Sequence, residues 1–451
     1  MKKDMKGDVV RDCNEKRREA GNDRGGMKTM SVLGDNMFWL RNKLGRTGSA
    51  FLAVGCSLSA LTLSAASSGA EWPGWRGPHR DGKSDDTGLL KSWPANGPEL
   101  AWKAAGLGQG FSSATVAGGA IYTTGIKEGH LYLTALDMNG ATKWSRDVEA
   151  GFVNSHPGSR STPTFDNGDL YLETDLGTVC CCDAATGAEK WTRKLSEFGG
   201  KAPGWGFSES VLVAGDLAIV TPGGTNCIVA LDRKTGATVW GSEPFAGAHY
   251  SSPILIHYQG VAMIVNGTQG GLIAVDAKTG KTLWTNDFSA GNTANCPTPA
   301  FADGYVFWAN GYGKGGICLK LEVQDGKVTA TEVWRSGDMV CHHGGYVIHD
   351  GHIYGNNGKG WACLELKSGQ TKWQEEAVGK GSICYADGML YLFGEKGGRV
   401  GFGPAAPTGF TLADEFAVEG TGSSWAHPSI AGGRLYLRYD DNLYAYDLKA
   451  P

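Results

Sequence analysis

The chain has none of the short signatures that announce common catalysis. It contains no Gly-x-Ser-x-Gly elbow, no phosphate-cradling glycine loop and no His-Glu-x-x-His pair. Nothing local therefore points to a serine hydrolase, a nucleotide-dependent enzyme or a zinc protease. The absence of Cys-x-x-Cys-His leaves no site for covalently attached haem. Charge imbalance is also small, with 42 Lys/Arg against 46 Asp/Glu in 451 residues. Of these, 12 basic and 7 acidic residues lie before position 47, so the remainder is mildly acidic. Such a body lacks the basic face that neutralises phosphates, which argues against nucleic-acid partners.

Long apolar runs are missing too, with one short exception between Ala50 and Ala66. Arg41, Lys43 and Arg46 precede that run and Ser68-Gly69-Ala70 follows it. A basic flank, a short apolar core and a small-x-Ala end are the parts of a secretory signal, and the core is too short for a membrane span. The expectation is cleavage after Ala70, with Met1 or Met37 as the start. The mature chain then has no transmembrane span and is periplasmic or extracellular. Cys56 after Ala53-Val54-Gly55 loosely resembles a lipoprotein processing site, but the apolar stretch continues past it, so lipid anchoring is the less favoured alternative. Eleven Cys include nine in the mature part, an odd number. They read mainly as small buried hydrophobes, with a disulfide among some of them as the alternative.

What the chain has in excess is Gly, 70 residues, and Trp, 15 residues. Trp102, Trp144, Trp191, Trp240, Trp284, Trp334 and Trp373 recur at spacings of 39 to 50 residues. A motif repeating at that period signals a propeller or solenoid. Four of them end the phrase small-x-Asp-x-x-Thr-Gly-x-x-x-Trp, carried by Asp183, Asp232 and Asp276 and, with Glu, by Glu365. Asp137 carries a version one residue shorter. The Asp caps backbone N–H groups in a hairpin turn and the Gly supplies a positive φ. Short apolar runs broken by such turns indicate an all-β chain. The Trp of each unit is expected to fill the gap between neighbouring sheets.

Counting units gives eight. Glu322 to Trp334 is a unit with a longer turn, and Ser382 to Phe416 is a degenerate one in which Phe416 stands for the Trp. The last unit, Trp425 to Leu448, stops before its Trp strand, and Leu100-Ala101-Trp102-Lys103 is a Trp strand with no preceding turn. The two halves complete one blade. The prediction is an eight-bladed β-propeller of four-stranded antiparallel sheets, closed by N- and C-terminal strands, which removes exposed sheet edges. Residues 1–70 are leader and signal, 71–98 an irregular segment over one end of the ring, and 99–451 the propeller. Arg76 and His79 in that irregular segment are expected at the surface.

The segment before each blade's first strand gathers at one end of the central channel. Those segments supply Arg160, Trp205, His249, Tyr250, Asn295, His342, His343, Lys380, Trp425 and His427. Carboxylates are scarce among them, with Glu209 the one neighbour. This collection favours an anionic, planar or sugar-like ligand through charge-assisted hydrogen bonds and stacking. The alternative is that these groups only fill and hydrogen-bond the channel wall. Their spacing does not suit a metal, and no metal or catalytic residue is assigned.

The phrase Ala-x-Asp-x-x-Thr-Gly-x-x-x-Trp resembles the repeat of pyrroloquinoline-quinone-type propellers, over about residues 98–449. That superfamily holds quinoprotein alcohol dehydrogenases and the propeller lipoprotein of the outer-membrane barrel-assembly machinery. Trp72-Pro73-Gly74-Trp75-Arg76-Gly77-Pro78 and His342-His343-Gly344-Gly345 also look like a branch of exported members. For the enzymes the resemblance implies calcium held by carboxylate and amide groups, an Asp base, a disulfide between adjacent Cys over the quinone, and a stacking Trp. Trp205 or Trp425 could stack, and Cys180-Cys181 or Cys181-Cys182 are adjacent pairs, but the carboxylates are missing from the mouth. The favoured expectation is an exported binding or protein-interaction scaffold whose partner is an envelope protein, an extracellular polymer or a small anionic ligand. A quinone-dependent dehydrogenase is the alternative, since sites are grafted onto shared folds.

Overall fold

The apolar, β-rich runs between the Gly turns pair with their sequence neighbours, as short antiparallel hairpins do. In the computed structural model, which describes residues 70–449, they form eight sheets. The expected leader, export signal and Cys56 lie outside the described residues. Blade 1 spans 115–150, blade 2 164–194, blade 3 212–241 and blade 4 254–286. Blade 5 spans 300–336, blade 6 346–375, blade 7 381–417 and blade 8 429–447. Glu99–Ala104 is the fourth strand of blade 8: Trp102 stands opposite Ala445 and Lys103 opposite Tyr444. The ring is thus closed by its two ends, and the protein is an eight-bladed propeller. No helix of the described residues is long and apolar enough to cross a membrane.

The repeat phrase is the joint between blades. Asp183 Oδ1 accepts from the N–H of Ala185 and Thr186 and from the Thr186 hydroxyl at 2.8–3.1 Å. Asp232 and Asp276 do the same for Thr235 and Thr279. The turn this fixes presents its Gly to the Trp of the preceding blade. Trp144 Nε1 donates to the Ala184 carbonyl, Trp191 to Arg233 and Trp334 to Leu366, at 2.8–3.1 Å. Within its own blade each Trp pairs with a small residue on the neighbouring third strand: Ala135, Cys181, Ala230, Ala274, Cys318 or Cys363. That pairing explains why Cys replaces Ala there. Blade 7 departs from the pattern. Phe416 stands opposite Val400, and Trp93 from the N-terminal segment stacks on Phe402 at 3.9 Å.

The segment 71–98 runs as a strap against the innermost strands of several blades. Trp72 pairs with Val116 in blade 1, and the Pro73 carbonyl accepts from Phe165 N in blade 2. Trp75 Nε1 donates to Thr298 Oγ1 at 2.7 Å beside blade 5. Arg80 donates to the Ser210 and Val211 carbonyls at 2.6 and 3.1 Å beside blade 3. Lys83–Ser84 then adds a parallel fifth strand to blade 7 at Tyr385 and Ala386. His79 is exposed as expected, but Arg76 is 3% exposed. Its guanidinium donates to the Tyr346 carbonyl, to the Asp81 carbonyl and to His427. Two backbone carbonyls and an imidazole take up part of its donor set, which lowers the cost of burying an arginine here.

Candidate functional site

Each first strand leaves the same end of the channel, so the segments leading into those strands converge there. They enclose a cavity of about 150 Å³ lined by aromatic and imidazole rings. Of the ten residues expected at the mouth, Arg160, Trp205, Tyr250, His342, His343 and Trp425 line it. His249, Asn295, Lys380 and His427 lie behind that lining. Asn295 N donates to His249 Nδ1 at 2.9 Å, and the Lys380 ammonium donates to His342 Nδ1 at 3.0 Å. His427 packs its ring 4.5 Å from that of Trp75.

Sequence reasoning missed Trp75, Phe111, His156 and Tyr312, which share the lining, and passed over Cys296 within the mouth segment that begins at Asn295. Phe111 precedes the Ser112-Ser113 mouth segment, so extending that segment by one residue would have found it. Tyr312 sits on the Asn310-to-Gly315 loop between second and third strands, whose Gly-Tyr-Gly-Lys-Gly composition marks an enlarged turn. Trp75 comes from the strap and forms the floor. A second cavity, about 160 Å³, lies on its other side against blades 2 and 3.

The histidines are fixed in one neutral form. Arg and Lys have donors only, so His342 Nδ1 must accept from Lys380 and His427 Nδ1 from Arg76, leaving Nε2 protonated in both. His427 Nε2 spends its proton on the His343 carbonyl at 2.8 Å. His342 Nε2 keeps its N–H for the cavity it lines. Burial pushes His249 and His342 down to about 4 and His427 to about 3, with the Lys380 and Arg76 charges adding to the effect on the latter two. His343 moves the same way for the same reason.

Carboxylates stand behind the wall in greater number than Glu209 alone. Glu173, Asp175 and Glu209 are at most 3% exposed. Glu209 Oε2 accepts from Asn266 Nδ2 at 3.0 Å, and Asp175 lies 4.0 Å from Arg160. Burial raises Asp175 to about 7 and Glu209 to about 8, and raises Glu173 well above the usual carboxylate range with Glu209 beside it. Glu395 pairs with Lys380 at 2.9 Å. None of these four acids lines the cavity.

Pyrroloquinoline quinone with calcium does not fit this donor set. The mouth has no acidic lining, and no group of three His, Cys, Asp or Glu among the described residues is placed to hold a metal. The cavity volume matches one small ring. The Cys180–Cys182 run lies buried in a blade 2 strand away from the mouth, with Cys180 and Cys182 on one face and Cys181 on the other. No adjacent pair of that run can cover the channel.

These features define an eight-bladed propeller with pyrroloquinoline-quinone-like repeats and a ring-lined mouth. The chain belongs to the family described as outer membrane protein assembly factor BamB, whose model matches residues 127–375. Comparison with curated proteins found no match. Among solved structures, BamB from Moraxella catarrhalis superimposes with a TM-score of 0.58 at 16% identity, covering 78% of this chain and 98% of that one. The quinohemoprotein alcohol dehydrogenase of Comamonas testosteroni gives 0.59 at 14% identity, covering 83% and 80%. That of Pseudomonas putida HK5 gives 0.59 at 13%, covering 84% and 80%. Likeness at such identity is likeness of fold, and the fold is common to an assembly factor and to dehydrogenases.

Proposed function

We propose that this chain is an exported propeller acting in the cell envelope as a binding or protein-interaction scaffold, with the ring-lined mouth as its contact site. One observation carries the reading: the cavity is walled by aromatic rings and hydrogen-bond donors, while every nearby carboxylate is turned behind the wall. Such a wall holds a ligand by stacking and by donated hydrogen bonds. It offers no carboxylate to take up a proton from a substrate alcohol, which disfavours the dehydrogenase. Export rests on the basic-apolar-small pattern of residues 41–70. Family membership supports envelope protein partners, with extracellular polymers as a further class.

The test pairs two measurements on the purified chain. With added quinone and calcium, dye-linked alcohol oxidation should be absent. A thermal-shift screen should return ligands whose stabilisation disappears in Trp205→Ala. Turnover in the first assay, or no Trp205-dependent ligand in the second, contradicts the reading.

A further inference from the structure

We propose that the mouth binds a single aromatic ring bearing a carboxylate. The inference rests on the mouth being a binding site and names the chemistry of its occupant.

Size selects one ring. The cavity measures about 150 Å³, which is room for one benzene-sized ring, and it opens to the outside at the mouth. Shape selects a flat one. Trp205 packs on Tyr250 at 5.6 Å, and Trp425 on Phe111 at 4.7 Å and on His343 at 4.6 Å, so the wall is a continuous set of tilted rings that line the cavity. Ring faces and edges of this kind pair with an aromatic guest more strongly than with a saturated one.

Hydrogen bonding selects an acceptor. His342 Nε2 carries a proton, because its Nδ1 accepts from Lys380. Arg160 gives two donors to the Gly158 and His156 carbonyls, out of the five a guanidinium holds. A guest ammonium would meet these donors with donors of its own, at the cost of unmade bonds. A carboxylate accepts from both groups.

Charge selects an anion. Arg76, Arg80 and Arg160 are buried around the floor and wall, and Lys380 stands behind His342. Asp175 stands 4.0 Å from Arg160 and Glu395 is paired with Lys380, but both acids lie outside the lining, so the charge that a guest meets directly is the Arg160 guanidinium.

Isothermal titration calorimetry with four probes of similar size separates these arguments: benzoate, benzyl alcohol, benzylamine and cyclohexanecarboxylate. Benzoate should bind ~10-fold or more tightly than benzyl alcohol and cyclohexanecarboxylate, and benzylamine should not bind. Arg160→Gln should weaken benzoate about 10-fold and benzyl alcohol by clearly less. The order of the four probes on the unmodified protein stands even if that variant fails to fold. Benzyl alcohol or benzylamine binding as well as benzoate overturns the carboxylate, and equal binding of cyclohexanecarboxylate overturns the ring. In either case a signal lost in Trp205→Ala leaves the mouth a binding site. Failure of all four probes overturns this inference, whereas the site itself falls only if the wider screen also yields no Trp205-dependent ligand.

Discussion

Gly280 lies against Trp240: a Cβ added to this glycine would stand 2.4 Å from the indole Cε3 of the preceding blade. The same contact recurs between Gly140 and Trp102, Gly187 and Trp144, Gly236 and Trp191, and Gly369 and Trp334. The two ends of the repeat phrase thus meet across blade boundaries, which is why they recur together. Gly280→Ala should destabilise through both its φ of 72° and the clash, by about 3 kcal/mol. Gly326 has a similar φ of 75° with open space around it, so Gly326→Ala should cost only about 1 kcal/mol. Urea unfolding of the two variants checks the difference, and equal costs would refute the contact.

Trp191 separates packing from hydrogen bonding. It is 8% exposed, and its Nε1 donates to the Arg233 carbonyl at 2.8 Å. Trp191→Phe keeps most of the ring and should cost about 1 kcal/mol. Trp191→Ala should cost about 3–5 kcal/mol. A Phe variant as unstable as the Ala variant would mean that the carbonyl contact, not ring burial, holds the joint.

Stability should depend on pH in a sense opposite to ordinary surface carboxylates. Asp175 and Glu209 titrate in the folded chain near 7 and 8, far above their unfolded values. The folded state therefore binds more protons than the unfolded state across that interval, and stability falls as pH rises through it. The lowered histidines act the other way, gaining stability as pH rises from about 4 to their unfolded value near 6.5. The two trends oppose one another below pH ~6.5, and the carboxylates act alone above it. The melting temperature should therefore drop between pH ~6.5 and ~8.5, and Glu209→Gln, which keeps an acceptor for Asn266, should flatten that drop. A melting temperature that rises over this range would contradict the burial of these acids.

The ring was legible in the sequence because its information is local and repeated. Asp183, Thr186, Gly187 and Trp191 lie within nine residues of one another and the pattern returns blade after blade. Closure was legible because Leu100–Lys103 lacks its turn and Ala445-x-Asp447 lacks its strand. The site was half legible. Position in the repeat brings residues to the mouth, but not which way each side chain turns, so Arg160 and Trp205 line the cavity while His249 and Asn295 bond to each other behind it. The strap was not legible, since its partners are single contacts far away in sequence, His427 lying 351 residues from Arg76, and no period marks them. Arg76 read as a surface charge because the carbonyls that satisfy it come from tertiary structure.

The strap should hold its place through Arg76. Arg76→Met leaves the Tyr346 and Asp81 carbonyls without their donor, a loss of about 1–3 kcal/mol. Hydrogen–deuterium exchange should quicken at Trp72, whose amide donates to Val116 in blade 1, and at Tyr385 in blade 7, whose amide donates to the Gly82 carbonyl of the strap. Unchanged exchange there would show that Trp72 and Arg80 suffice to anchor the segment.

A crystal structure with a ligand taken from the thermal-shift screen tests the central claim most directly. The account predicts density for that ligand between Trp205, Trp425 and His342, resting on Trp75. Density on the outer strands or in the turns at the opposite end of the ring, with the mouth empty, would contradict it.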